Sequence, residues 1–563
     1  MKGGKQMNVT TCAPTKCQQT NWDSIDWNRC ELAIKKLQAR IVKAQKEGRY
    51  GKVKSLQWTL THSFYAKALA VKRVTSNSGS KTSGVDGKLW STPRTKANAI
   101  KELKRRGYKP KPLKRVHIKK SNGKLRPLGI PTLKDRAMQA LYLMALEPVS
   151  EVTADTHSYG FRKKRCTMDA VRQIHNVLCK GYSAQWILEG DIKGCFDHIS
   201  HNWLMENIPM DKVILKKWLT CGYVLGKQLF PTEEGTPQGG IISPTLANMV
   251  LDGLQGVLAE KYKRRRNGKR HYSPMVNFVR YADDFIITSE NREVLETEIK
   301  PLVKEFLAER GLTLSEEKTL ITNINDGFDF LGFNIRKFKG QLLTKPSKSA
   351  QKRVYAKFKT VIERNKSSRQ DTLIRLLNPI ITGWSNYYRY GASSKEFQRM
   401  DHLIFDKLRQ WAKRRHPKKG KRWIAIKYFH TIKGRKWRFV YYFDKKNPEN
   451  RIMLKLMSDL NFSVYTQVKG DANPFDSECQ DYFDQRKTKR MLESFNGKKT
   501  LVKIWQNQKG LCPICGDTID ESLAWSVKRE TLADDKKRNQ LVHMKCIKHP
   551  KKNLSRSQSQ NET

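Results

Sequence analysis

Residues 278–289 read FVRYADDFIITS, two apolar runs of strand type around the polar Ala282-Asp283-Asp284. The pattern predicts a β-hairpin whose tip displays adjacent carboxylates. Asp is also favoured in ordinary hairpin turns, so the tip by itself assigns no chemistry. A second strand-like run, WILEGDI at 186–192, delivers Asp191 at its end, and Phe196 and Asp197 follow one helical turn later. Phosphoryl transfer onto a 3′-hydroxyl uses two divalent ions about 4 Å apart, one activating the attacking oxygen and one stabilising the leaving pyrophosphate. Like charges brought so close need those ions between them. Asp191 and Asp283 are therefore the expected bridging pair for Mg²⁺, which prefers carboxylate and phosphate oxygens. Asp284 stands beside them as a third catalytic carboxylate that tunes the site.

Acidic tips are unexpected in a chain with 110 Lys+Arg against 53 Asp+Glu, a formal net charge of +57. Such a surplus opposes compaction unless a polyanion neutralises it, and nucleic acid is the polyanion with one charge every few ångström. At 563 residues the chain exceeds a single core, and 38% hydrophobic residues with 9% aromatics suffice to build several. No stretch approaches the roughly 18 uncharged apolar residues of a membrane span, and the opening MKGGKQM has no apolar leader region. Eleven cysteines, an odd number, argue for a reducing compartment rather than a disulfide framework.

Along the chain, residues 1–85 read as a helical extension: a polar start, then Leu32, Leu37 and Ile41, then Leu56, Leu60, Phe64 and Val71 after Gly48, so two helices with a break. The Ser/Gly-rich SNSGSKTSGVDG at 76–87 reads as a loop. Residues 86–340 alternate short apolar runs with helical stretches, the pattern of a mixed α+β or α/β domain. Residues 341–425 read as basic and helical, 426–495 mix basic and aromatic runs such as KWRFVYYF, and 496–563 hold paired cysteines before a polar tail.

The central domain resembles a reverse transcriptase, YADD being similar to that family's Tyr-x-Asp-Asp signature. The resemblance implies a multidomain α+β right-hand polymerase with fingers and palm at 86–340 and an α-helical thumb at 341–425. It implies that Lys120 and Arg126, in KKSNGKLRPLGIP, hold the triphosphate, and that Phe196 crowds the sugar 2′ position so that deoxynucleotide triphosphates are preferred. It assigns Gln238, in GTPQGGIISP, and Lys318, in GLTLSEEKT, to the nucleotide, and FLGF at 330–333 to the primer-grip side. Ile192, next to Asp191, is included among the magnesium positions. Lys120 and Arg126 each have an ordinary reading as a surface charge in a basic chain, and Phe196 has one as a core aromatic.

The flanks resemble the group II intron-encoded protein, or maturase, branch. WDSIDW and LQWTLTHSFYAKALAVKRV, followed by TSGVDG, are similar to its N-terminal extension. Residues 377–417, LNPIITGWSNYYRYGASSKEFQRMDHLIFDKLRQWAKRRHP, resemble its thumb, domain X. The resemblance implies intron RNA as a partner gripped by Trp384, Tyr387, Tyr388 and Arg389, target DNA as a second partner for 426–495, and a bacterial cytoplasmic, nucleic-acid-associated setting. Basic side chains with interleaved aromatics suit unpaired RNA, although Trp384 and Tyr388, four apart on a helix, would equally serve as core. A splicing factor with a relic polymerase site and a stand-alone reverse transcriptase are the rival readings.

Near the C-terminus, Cys512-Pro-Ile-Cys515 and His543-Met-Lys-Cys546 form two pairs with the spacing of a tetrahedral Zn²⁺ site, with His549 a rival fourth ligand. NQLVHMKC resembles the second ligand pair of the zinc-containing HNH endonuclease domain. That family carries a general-base His between the pairs, yet no His lies anywhere from Gly516 to Val542. Losing that base removes about 10²–10⁴-fold of rate. The expectation is a degenerate, nuclease-inactive domain that keeps its zinc.

Overall fold

The computed structural model describes residues 21–548 except 120–122, 124, 227, 264, 268–269, 273, 433, 445, 496–497, 517, 521–524 and 532–536. It divides into two compact units, one running through Asp471 and the other from Ala472 onward.

In the first unit, helices Trp27–Lys46, Tyr50–His62 and Phe64–Ser76 pack on the long helix Leu133–Thr153. Two helices were expected here and three are present. The added break is at Ser63, whose backbone turns extended while its hydroxyl accepts from the Tyr65 N–H as the next helix's cap. Pro148 sits inside the long helix, where it lacks the N–H that the Met144 carbonyl would receive. The buried Gln38 amide supplies that missing donor at 2.7 Å, and Gln57 donates to Ala145 O one residue on. A helix defect is thereby turned into an inter-helix fastening.

Two four-stranded sheets follow. One has the order Leu125–Ile130, Leu113–Lys119, Tyr223–Leu225, Gln228–Phe230, and the other Leu320–Asn323, Trp186–Gly190, Asp284–Ser289, Asn277–Tyr281. The second is antiparallel throughout. A three-stranded sheet, Phe328–Phe330, Phe333–Phe338 and Gln341–Pro346, leads into helices Lys348–Arg364, Gln370–Tyr388 and Ser394–Arg415. Helix Lys421–Tyr428 and a last sheet, Phe429–Ile432, Arg435–Tyr442, Arg451–Met453, come next.

The second unit contains helices Gln480–Ser494 and Lys499–Asn507, the hairpin Trp525–Thr531 with Lys537–His543, and helix Met544–Lys548. Its core joins Met491, Phe495, Trp505, Ile519 and Leu541, so the stretch just before 496 packs with the cysteine segment. Among the described residues no helix is long and apolar enough to cross a membrane.

Candidate active site and C-terminal metal centre

Strand Asp284–Ser289 pairs on one side with Asn277–Tyr281, closing the expected hairpin, and on the other with Trp186–Gly190. The last pair of the second ladder is Phe285 with Gly190. One step further along that register, Asp284 faces Asp191, with Asp283 next in the turn. The approach is close because position 190 has no side chain: a Cβ there would come within 2.1 Å of the Phe285 ring.

The turn is fixed from beneath. Ala282 takes a left-handed φ of 58°, unusual for a residue with a Cβ. The Arg280 guanidinium, 1% exposed, donates to the Ala282 carbonyl and pairs with Asp252 at 2.5 Å. Burial pushes the Asp252 carboxyl above its ordinary range against the opposing pull of Arg280. The 157–160 loop adds main-chain bonds, Tyr159 N to Arg280 O and Arg280 N to His157 O, both 3.0 Å. Gly160 lies so near that a Cβ would meet Ala282 N at 2.4 Å. Sequence reasoning missed this support, for which the only local signal was a cation inside an apolar strand.

The carboxylates feel one another. The Asp284 carboxyl is pushed up to about 6, first by desolvation and then by Asp283 and Asp191, with Lys318 opposing. Lys318 Nζ donates to Asp191 Oδ2 at 2.6 Å, and that bond, reinforced by the other two carboxylates, lifts the ammonium pKa. The segment bearing Lys318 is tied to the same strand end, Ser315 N donating to Asp191 O at 2.8 Å. Ile192 pairs with Leu314 and buries its side chain, 3% exposed, so anything it offers a metal must come from its main-chain carbonyl.

Beside the carboxylates, Arg126 Nε donates to Gln238 Oε1 at 2.8 Å, and Gln238 Nε2 reaches the Asp197 carboxylate at 3.3 Å. The loop carrying Gln238 lies against the first sheet, Gly129 N donating to Gln238 O at 2.8 Å. Gly239, at φ 120°, allows this approach, since a Cβ would fall 2.8 Å from Gly129 O. Phe196 and Gln238 both line a cavity of about 280 Å³, and Phe196 meets Phe161 edge-on. The Asp197 link and Phe161, itself at a left-handed φ of 59°, were not anticipated as site features. Lys120 lies outside the described residues.

The helical aromatics divide. Tyr388 is buried, its ring on Phe333 and Trp384 and its hydroxyl donating to Gly332 O at 3.1 Å. Ring and hydroxyl are both used inside the protein, which is the core role the four-residue spacing allowed. Tyr387 stacks on Phe333 and donates to Leu331 O at 2.9 Å while staying part-exposed. Trp384 and Arg389 are half-buried.

In the second unit, one ligand atom each from Cys512, Cys515, His543 and Cys546 lies within 4.8 Å of the others. His543 ends one hairpin strand and Cys546 lies in the short last helix. His543 Nδ1 faces Cys515 Sγ at 3.3 Å while Nε2 meets Thr518 O at 3.1 Å, the second bond that orients a ligating imidazole. Burial would raise the Cys512 thiol pKa, but main-chain N–H groups of His543, Cys515 and Ile514 outweigh it and lower the value. Sulfur and imidazole donors at this spacing fit a closed tetrahedral Zn²⁺ site. His549 lies outside the described residues.

Three family models match the chain: reverse transcriptase (RNA-dependent DNA polymerase) over residues 118–335, N-terminal domain of reverse transcriptase over 22–103, and group II intron, maturase-specific domain over 351–429. Protein YkfC of Escherichia coli is 34% identical over 305 residues, 48% of this chain and 79% of that protein. The group II intron-encoded protein LtrA of Lactococcus lactis is 33% identical over 332 residues, 48% of this chain and 54% of LtrA. The chain thus spans about half the length of LtrA. A putative COX1/OXI3 intron 1 protein of Saccharomyces cerevisiae is 29% identical over 320 residues, 47% of this chain and 38% of that protein.

Proposed function

The chain belongs to the group II intron reverse transcriptase and maturase family, and on that premise we propose how its residues divide the work. The reading is an RNA-directed DNA polymerase whose helical thumb also holds intron RNA for splicing and insertion into DNA. The observation that carries it is the meeting of Asp191, Asp283 and Asp284 at neighbouring strand ends in an otherwise cationic molecule.

Asp191 and Asp283 would hold the magnesium ions, with the Ile192 carbonyl as a further oxygen. When bound, the ions activate the primer 3′-oxygen and stabilise the departing pyrophosphate. Arg126 and Lys120 bind the triphosphate, and Lys318 exchanges its Asp191 partner for phosphate as the nucleotide arrives. Gln238 sits between Arg126 and Asp197, so its amide is oriented before the nucleotide enters. Phe196 closes the sugar side against a 2′-hydroxyl. Trp384, Tyr387 and Arg389 are the thumb side chains assigned to RNA. Deoxynucleotide triphosphates, intron RNA and target DNA are the partners, in the cytoplasm of a bacterium.

Cys512, Cys515, His543 and Cys546 hold zinc as a structural staple for a small core. The unit is a degenerate HNH-type domain without nuclease activity, because its one imidazole in this segment is committed as a ligand and none lies between the ligand pairs. Primer extension on an RNA template with Mg²⁺ tests the polymerase: extension that vanishes in Asp283→Asn with RNA affinity retained supports it. Loss of both together makes Asp283 structural. Cleavage of duplex target DNA by the purified protein with Mg²⁺, lost on replacing a residue within 512–549, refutes the nuclease-inactive assignment.

A further inference from the structure

Where helices Ser394–Arg415 and Lys421–Tyr428 meet the strands that follow, they enclose a cavity of about 740 Å³. Three aromatic side chains wall it. Ring centroids of Phe405 and Phe429 are 5.1 Å apart, those of Phe405 and Trp437 6.3 Å, and those of Phe429 and Trp437 6.5 Å. The interplanar angles are 62°, 72° and 63°, so the rings stand across one another as three sides of an open box. Arg409, Lys413 and Lys421 line the same cavity.

Trp437 is held there against local preference. The ladder pairs His430 with Arg438 and Ile432 with Arg435, which leaves one extra residue on the second strand. In that bulge Trp437 adopts a left-handed φ of 63°, a true outlier for a bulky aromatic, and is 57% exposed. A side chain filling a core would be buried on ordinary backbone. Strain of this kind collects at ligand clamps, where the surrounding structure over-determines it.

The charge of the cavity selects the occupant. Aromatic boxes bind organic cations, but four cationic side chains line this cavity, Lys419 with the three named above, and would repel one. The match is a planar π system attached to anions. We propose that the box captures an unpaired base of a bound RNA strand, stacking it on the exposed face of Trp437, which Phe405 and Phe429 brace edge-on, while Arg409, Lys413 and Lys421 take the flanking phosphates. The choice of RNA rests on the maturase reading above: the maturase-specific match at 351–429 includes Phe405, Phe429 and the three phosphate-binding cations, while Trp437 follows just beyond it, in the segment expected to take target DNA.

The probe is a single-stranded oligouridylate carrying one 5-iodouridine, photocrosslinked to the full chain at physiological ionic strength, with the same label in a blunt RNA duplex as control. The single strand labels the peptide containing Trp437, and the duplex labels it about tenfold less, because a paired base cannot enter the box. Trp437→Gly abolishes that label and weakens single-strand binding about 5- to 100-fold, the value of one stacked base. The same change leaves Tm unaltered or higher, as glycine relieves the left-handed backbone. Phe405→Leu also weakens the label.

Labelling confined to other peptides, equal labelling by the duplex, or a lowered Tm in Trp437→Gly overturns the proposal. Tighter capture of the matching DNA strand overturns the choice of RNA. Primer extension on a short template distinguishes the two readings. A wild-type chain that labels at Trp437 but never extends keeps the box and loses the polymerase, and one that extends without labelling does the reverse.

Discussion

The chain carries two donor clusters of opposite character. The central one is three carboxylates at strand ends, so crowded that the Asp284 carboxyl is lifted to about 6. The C-terminal one is three thiols and an imidazole, largely buried, in which main-chain N–H groups lower the Cys512 thiol pKa. Hard, repelling oxygens in a half-open site keep room for phosphate and water, whereas a full set of soft donors leaves a metal nothing further to bind. The first arrangement suits turnover and the second suits holding a small core together. Their supports differ likewise: the carboxylates depend on sheet register and a buried ion pair, the thiols and imidazole on one short turn, the end of a hairpin and the last helix.

The contrast breaks most visibly at the thiols. Cys546→Ala, or exhaustive chelation, is expected to abolish the cooperative fold of residues 472–548, since structural zinc supplies roughly 10–16 kcal/mol in small domains. Metal analysis and limited proteolysis read this, and primer extension is expected to survive. A C-terminal unit that resists proteolysis without metal would remove zinc from the account. At the carboxylates the order reverses: Asp283→Asn is expected to lower extension by about 10³-fold or more, the value of several kcal/mol of lost charge stabilisation, with Tm nearly unchanged. A large fall in Tm would make that residue a structural one.

The support beneath the hairpin tip tests whether the two sites are held by different means. Asp252→Ala strands the buried Arg280 charge and is expected to destabilise the first unit by about 3–5 kcal/mol, read by denaturant unfolding. Pairing it with Arg280→Met should recover part of that loss, because the stranded guanidinium is gone while the buried Asp155 carboxyl keeps Arg162 and its main-chain donors. Failure to recover would mean that the Arg280 bond to the Ala282 carbonyl matters more than the pair. The smallest effect is expected at Phe196→Ala, where discrimination against ribonucleotides should fall by roughly 1–3 kcal/mol, seen in competitive incorporation. Unchanged selectivity would return Phe196 to the role of a packing residue.

Much of this was legible before folding. The hairpin at 278–289, the strand ending at Asp191 and the paired ligands at 512–546 are local patterns, and strand alternation and ligand spacing are local properties. What was illegible depended on distant partners. Ser63 breaks a helix that its periodicity would continue, and its cap bond is the reason. Tyr388 reads equally as an RNA-facing aromatic or as core, and only Gly332 and Phe333, far back in the chain, decide it by taking its hydroxyl and ring. Arg280 looks misplaced in its strand until Asp252 is found beside it.

By itself the sequence determined the chemistry available: which carboxylates end which strands, which thiols come in pairs, and that a cationic surface surrounds them. Tertiary structure alone decided which groups meet, because pairing Phe285 with Gly190 brings Asp191 and Asp284 to adjoining strand ends, and side-chain bonds link Arg126, Gln238 and Asp197 in one row. It also decided the left-handed turns at Ala282 and Trp437. Neither residue prefers that conformation; the Arg280 bond and the close Gly160 impose it at Ala282 and the strand bulge at Trp437, and no local signal encodes a choice that distant neighbours make.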